Sequence, residues 1–117
     1  MSLIIYHNPH CSKSRRTLEL IKEKNIKPEI ILYLKNMPSA DELLYVTKIL
    51  MMDIKDILRK NEAELKEARD LPSLNNNNAM SIWLENHPKV LQRPIVINKN
   101  NNKGVIARPP EKFLGIL

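Results

Sequence analysis

YHNPHCSKSRRTLEL, residues 6–20, changes character in its middle, and its single cysteine sits at the change. Upstream, LIIY at 3–6 is a short apolar run rich in β-branched residues, and HNPH stops it with the turn formers Asn and Pro. Downstream, from Ser14 on, Thr17, Leu18, Leu20 and Ile21 alternate with Arg, Glu and Lys at mixed i+3 and i+4 spacing, which predicts an amphipathic helix ending near Asn25. PEIILYL at 28–34 then reads as a buried strand. Strand, helix and strand within about 30 residues make a right-handed βαβ unit.

The pattern turns helical in the middle of the chain. Ser39 with Glu42 is a capping box ahead of Leu43, Leu44, Val46, Ile49 and Leu50, and Asp53 can cap a short helix through Leu58. Helical stretches are expected at about 61–70 and 78–86, separated by LPSL and closed by HPK. Strands return as PIVI at 94–97 and GVIA at 104–107, a hairpin through NKNNNK, and PPEKFL opens a last helical turn. The Asn runs at 75–78 and 100–102 read as loop composition without a binding role.

A chain of 117 residues fits one domain with a real core. Its 43% hydrophobic and 27% charged residues are a globular composition, no apolar run approaches the roughly 20 residues that span a bilayer, and the start of the chain lacks a signal-peptide pattern, so the cytoplasm is the expected compartment. One cysteine excludes an internal disulfide and a cysteine-built zinc site; any redox role needs a thiol from outside. A net charge of +6 and a pI near 9.6 suit anionic ligands, whereas 4% aromatic residues argue against a base-stacking nucleic-acid surface.

At the strand-to-helix junction, free N–H groups and the positive end of the helix dipole favour thiolate over thiol at Cys11. Lys13, Arg15, Arg16 and the His7 imidazole can add positive charge or hydrogen bonds. The outward N–H groups expected at Cys11, Ser12 and Lys13 also make an anion site, with Ser14 completing the loop. A nucleophile in such a site implies an oxyanion substrate, for which arginine forks are the best further clamps. Arg59 in ILRKN, Arg93 in LQRPIVI and Arg108 in IARPPE are the candidates.

YHNPHCSKSRRTLELI, ILYLKNMPSADEL, ILRKN, HPKVLQRPIVI and ARPPEKFLGIL resemble, in order and spacing, the motifs of the glutaredoxin-coupled arsenate reductases, the ArsC family. The resemblance covers nearly the whole chain. It implies an α/β, thioredoxin-like (glutaredoxin-type) fold with a mixed four-stranded sheet, residues 1–35 and 88–117 forming the core and 36–87 a helical insertion. It also implies that Cys11 is catalytic, that His7 supports its thiolate, and that Arg59, Arg93 and Arg108 surround it. Ser12, Lys13 and Ser14 are expected to help hold the substrate. The loop HCSKS departs from the small residues that follow the cysteine in the well-studied members.

The implied reaction is reduction of arsenate to arsenite, for arsenic detoxification. Glutathione is the co-substrate, glutaredoxin the partner, and neither a metal nor a bound cofactor is required. Two rivals stay in view: the C-x-x-S pattern at Cys11 suits a monothiol glutathione-dependent oxidoreductase, and the same fold includes an RNA-polymerase-binding regulator, whose switch uses two cysteines. Thioredoxin-like folds also carry a cis-proline before the strand facing the active cysteine, so a cis Arg93–Pro94 bond that aims Arg93 at Cys11 is expected.

Overall fold

The computed structural model describes residues 2–117. Contacts divide the chain into two units, one running up to Asn36 and resuming at Arg93–Leu117, the other being Met37–Gln92. The return to the first unit falls at Arg93, a few residues later than the resemblance implies, because Pro88–Val90 forms a 3-10 turn and Leu91 bridges to Leu58, both inside the second unit.

The first unit is built on β1 (Leu3–Tyr6), α1 (Ser12–Glu23), β2 (Glu29–Ile31), β3 (Ile95–Asn98) and β4 (Lys103–Ile106), followed by a 3-10 segment over Pro110–Ile116. The sheet order is β2-β1-β3-β4, with β1 parallel to β2 and antiparallel to β3, and β3 antiparallel to β4. This is the mixed, thioredoxin-like sheet. Both central strands, β1 and β3, are buried along their whole length, which is why each reads as a continuous apolar run rather than an alternating one. One cluster joins Leu3 and Ile5 of β1, Ile21 of α1, Val96 of β3, Ala107, Phe113 and Ile116. α1 and the C-terminal segment thus contribute to the same core.

Two expectations in this unit need correction. The second strand is only Glu29–Ile31 and lies at the sheet edge with Glu29 and Ile30 exposed; Leu32 begins a turn whose carbonyl accepts from Lys35 and Asn36, although Tyr33 in that turn is buried. An apolar run cannot by itself distinguish a long buried strand from a short edge strand followed by a turn. The helix begins at Ser12 rather than Ser14, with Cys11 in extended conformation as its N-cap. Its far end is near the expected place, where Asn25 takes a left-handed conformation (φ 60°) that asparagine tolerates.

The second unit packs α2 (Ala40–Leu50) on α4 (Asn77–Glu85), with a 3-10 turn at Ile54–Ile57 and the short α3 (Ala63–Lys66) between them. Of the capping box read at Ser39 and Glu42 only the Ser39 half is present, its hydroxyl accepting from the Glu42 amide at 3.2 Å, whereas Asp53 with Asp56 forms a full capping box at the 3-10 turn. The helix expected over 61–70 is a single turn with no buried residue to hold it. The first Asn run is more than loop filler. Asn76 caps α4, and Asn77 accepts from the Ile54 amide while donating to Asp53. In the later run, Asn101 donates to the Ile116 carbonyl, and Asn102 takes a left-handed turn conformation. Among the described residues no helix is long and apolar enough to cross a membrane.

Candidate active site

Local hydrogen bonds build the loop that carries Cys11. Asn8 Oδ1 accepts from the His10 amide, an Asx turn, and the Asn8 carbonyl accepts from the Cys11 amide at 3.0 Å. The Cys11 carbonyl then takes the Arg15 amide and starts α1. The Cys11 N–H, expected to point outward, is therefore used inside the turn. The amides that act on the sulfur are those of Ser14 and Lys13, one turn into the helix. Asn8 therefore anchors the loop as well as ending the strand, and the Asn-Pro step ahead of a helix start is the sequence signal for that role.

Ser14 is fully buried and ties this loop to the sheet. Its Oγ lies 2.6 Å from His7 Nδ1 and accepts from the Asn8 amide at 3.0 Å. The His7 amide donates to the Ile31 carbonyl, so one residue links β2, the end of β1 and the helix start. Burial, then the charges of Lys22 and Arg15, lower the His7 pKa and keep the imidazole neutral at pH 7. His7 thus meets the thiol loop at Ser14 as a neutral hydrogen-bonding group rather than as a cation.

Cys11 itself is partly exposed. Burial raises its pKa, but the Ser14 amide, the Arg93 charge, the Lys13 amide and a hydrogen bond from Arg93 together outweigh that and leave it below the ordinary thiol value. The effective cation is Arg93, from the far end of the chain. Arg15 and Arg16, adjacent in sequence, have other partners: Arg15 Nη1 donates to the Pro9 carbonyl at 2.9 Å, and Arg16 pairs with Glu19 at 3.0 Å on the helix surface.

The Arg93–Pro94 bond is cis, as expected, and a second cis bond, Arg108–Pro109, was not anticipated. Arg93 Nε is sheltered from solvent without a hydrogen-bond partner, a donor that an oxyanion could use. Arg108 Nη1 donates to the Arg93 carbonyl at 3.1 Å. Arg59 belongs to the second unit, where its Nη1 donates to the Lys89 carbonyl at 3.1 Å and lies 3.2 Å from Glu62. Ser12 and Lys13 are exposed in the first turn of α1.

The lowered thiol predicts a pH profile. Alkylation by iodoacetamide, a neutral reagent, should rise with pH to a plateau, with its midpoint below the free-cysteine value near 8.5. The thiolate is populated above that midpoint and lost as pH falls through it. A midpoint at or above 8.5 would contradict the arrangement around Cys11.

A thioredoxin-like sheet that presents one activated cysteine at the start of its first helix defines a single-thiol member of the thioredoxin-like class. The comparisons narrow this further. The model of the ArsC family matches residues 6–116, and the chain belongs to that family. It is 43% identical over 118 residues to the arsenate reductase of Haemophilus influenzae, covering the whole of both chains. It is 37% identical over 116 residues to an Escherichia coli arsenate reductase, covering 99% of this chain and 81% of that protein. Among solved structures, arsenate reductase from Vibrio cholerae superposes with a TM-score of 0.91 at 39% identity, covering 100% of this chain and 98% of that one.

Proposed function

We propose that this protein is a cytoplasmic arsenate reductase that takes its electrons from glutathione and glutaredoxin. The observation that carries the reading is a lone, partly exposed thiol, lowered in pKa by helix-start amides and by Arg93, whose Nε is a sheltered donor without a partner. The relatives named as arsenate reductases support the choice of oxyanion.

In this mechanism the Cys11 thiolate attacks arsenic(V) and forms an S–As bond, while one arsenate oxygen leaves as water after protonation. Amides at the helix start and Arg93 offset the negative charge on the remaining oxygens. A glutathione thiolate then attacks the Cys11 sulfur. The S–As electron pair passes to arsenic, which leaves as arsenite, and Cys11 remains as a mixed disulfide with glutathione. A glutaredoxin thiolate takes the glutathione and returns Cys11 to its thiolate. Because the chain has one cysteine, both later thiols come from outside.

A coupled assay tests the reading. NADPH consumption through glutathione reductase should require arsenate, glutathione and glutaredoxin together. Glutathione-disulfide exchange that proceeds equally well without arsenate would replace this reading with the monothiol oxidoreductase.

Arg59 enters the proposal through its match to ILRKN. In the structure its partners are the Lys89 carbonyl at 3.1 Å and the Glu62 carboxylate at 3.2 Å. Arg59→Lys keeps the charge but loses the planar fork. The kcat/KM for arsenate should fall by about one to two powers of ten, roughly 1.4 to 2.7 kcal/mol, with alkylation of Cys11 nearly unchanged. Equal activity at subsaturating arsenate would remove Arg59 from the clamp.

A further inference from the structure

We propose that Glu62 is a built-in counter-ion of Arg59: its carboxylate occupies the Arg59 guanidinium in the ligand-free protein, an incoming oxyanion displaces it, and this exchange sets how tightly the oxyanion is held. The inference rests on the proposed reading of Arg59 as an oxyanion ligand. It does not depend on the reaction that the bound oxyanion then undergoes.

The two groups meet by local means in ILRKNEAEL, residues 57–65. The Glu62 amide donates to the Arg59 carbonyl at 3.0 Å, a turn that joins residues three apart just ahead of α3. A carboxylate at a helix start is ordinarily favoured by the unpaired amides of the first turn. Glu62, the N-cap of α3, makes no such side-chain bond; its Oε2 lies 3.2 Å from Arg59 Nη1 instead. Arg59 is anchored independently, its amide donating to the Val90 carbonyl at 2.7 Å and its Nη1 to the Lys89 carbonyl at 3.1 Å. All of these groups belong to the second unit.

Shielding gives the pair its weight. The Arg59 and Glu62 side chains are 30% and 21% exposed, whereas the equally spaced Arg16–Glu19 pair on α1 is 50% and 65% exposed. Solvent therefore screens Glu62 from Arg59 less than it screens the pair on the open helix surface. A carboxylate and an oxyanion seek the same thing from a guanidinium, charge and parallel N–H donors. Two anions on one guanidinium stand a few ångströms apart and repel each other, strongly in a shielded setting, so an oxyanion on Arg59 displaces Glu62 rather than joining it. The fold permits the exchange, because the single turn of α3 that begins at Glu62 has no buried residue and can shift without disturbing a core. Such a competitor lowers the affinity of every anion by the same factor, which leaves Arg59 closed to weakly held anions and open to one with further contacts.

The test begins with arsenate binding, measured by calorimetry without glutathione, in the wild-type protein, Glu62→Gln, Arg59→Met and the double variant, with a melting temperature for each. Glu62→Gln keeps the size of the side chain and removes its charge. It should tighten the Kd by about two- to fivefold, the value of a partly shielded ion pair. In the coupled assay the KM for arsenate should fall by the same factor with kcat unchanged, the pattern of a change in binding alone. Arg59→Met should weaken binding, and in that background Glu62→Gln should have no effect, because nothing is left to compete for.

An unchanged Kd in Glu62→Gln would overturn the proposal. So would a weakened one, which would make Glu62 a group that orients Arg59 for its ligand. Tightening of equal size in the Arg59→Met background would overturn it as well, since Glu62 would then act by its own field. A wild-type Kd in Arg59→Met would remove Arg59 as an oxyanion ligand and the Glu62 assignment with it. Should Glu62→Gln not fold, Glu62→Ala carries the same comparison with the same sign. The expected Kd values without arsenate-dependent NADPH consumption would reject the reductase reading and leave the Glu62 assignment standing.

Discussion

Cys11→Ser is expected to abolish arsenate-dependent NADPH consumption, a loss of at least about four powers of ten in kcat/KM, as for removal of other covalent nucleophiles. A serine hydroxyl can occupy the same place over the Ser14 and Lys13 amides, but these contacts and Arg93 cannot ionise an alcohol at neutral pH as they can a thiol. It also cannot form the mixed disulfide through which electrons enter in the proposed mechanism. The fold should survive, because Cys11 is partly exposed and lies outside the core cluster of the first unit. A melting temperature close to wild type together with the lost activity is the expected pair of results. Retention of more than about a hundredth of wild-type activity would remove Cys11 as the nucleophile.

Arg93→Met should have the next largest effect, because Arg93 has two roles. It lowers the thiol, and in the proposed function its sheltered, unpartnered Nε is the donor that an oxyanion would use. The proposed outcome at pH 7 is a fall in kcat/KM of about two to three powers of ten, or roughly 2.7 to 4 kcal/mol. The two contributions separate with pH. As pH rises through the displaced thiol midpoint, the part lost to protonation of Cys11 should return. The part lost from oxyanion binding should not. A profile in which raising the pH restores the whole wild-type rate would confine Arg93 to the thiol; a flat, complete loss would confine it to the substrate.

Much of the frame was legible because it depends on neighbours in sequence. LIIY, the Asn-Pro turn, the Ser39 N-cap and the Asp53 cap each act within a few residues, and each is present in the structure. Reading failed where packing decides. PEIILYL looked like one buried strand, yet only Glu29–Ile31 pairs with β1 and the rest turns away with Tyr33 buried. The 61–70 stretch has helical composition but no apolar face that the fold buries, so it keeps one turn. The asparagines were passed over because an amide's value lies in its partner, and Asn77 finds Asp53 and the Ile54 amide from well outside its own helix.

The candidate site divides in the same way. Sequence by itself determined that one cysteine would stand at a strand-to-helix junction, where unpaired amides favour an anion, since that needs only the order of a β-branched run, a turn and an amphipathic helix. Tertiary structure decided which groups reach the sulfur. The adjacent Arg15 and Arg16 turn to Pro9 and Glu19, and the distant Arg93 takes the position beside the thiol. The pairing of β3 with β4 brought Arg108 to the Arg93 carbonyl. The physical reason is range: a helix start orders its own amides, whereas a side chain's partner depends on which strands the core brings side by side.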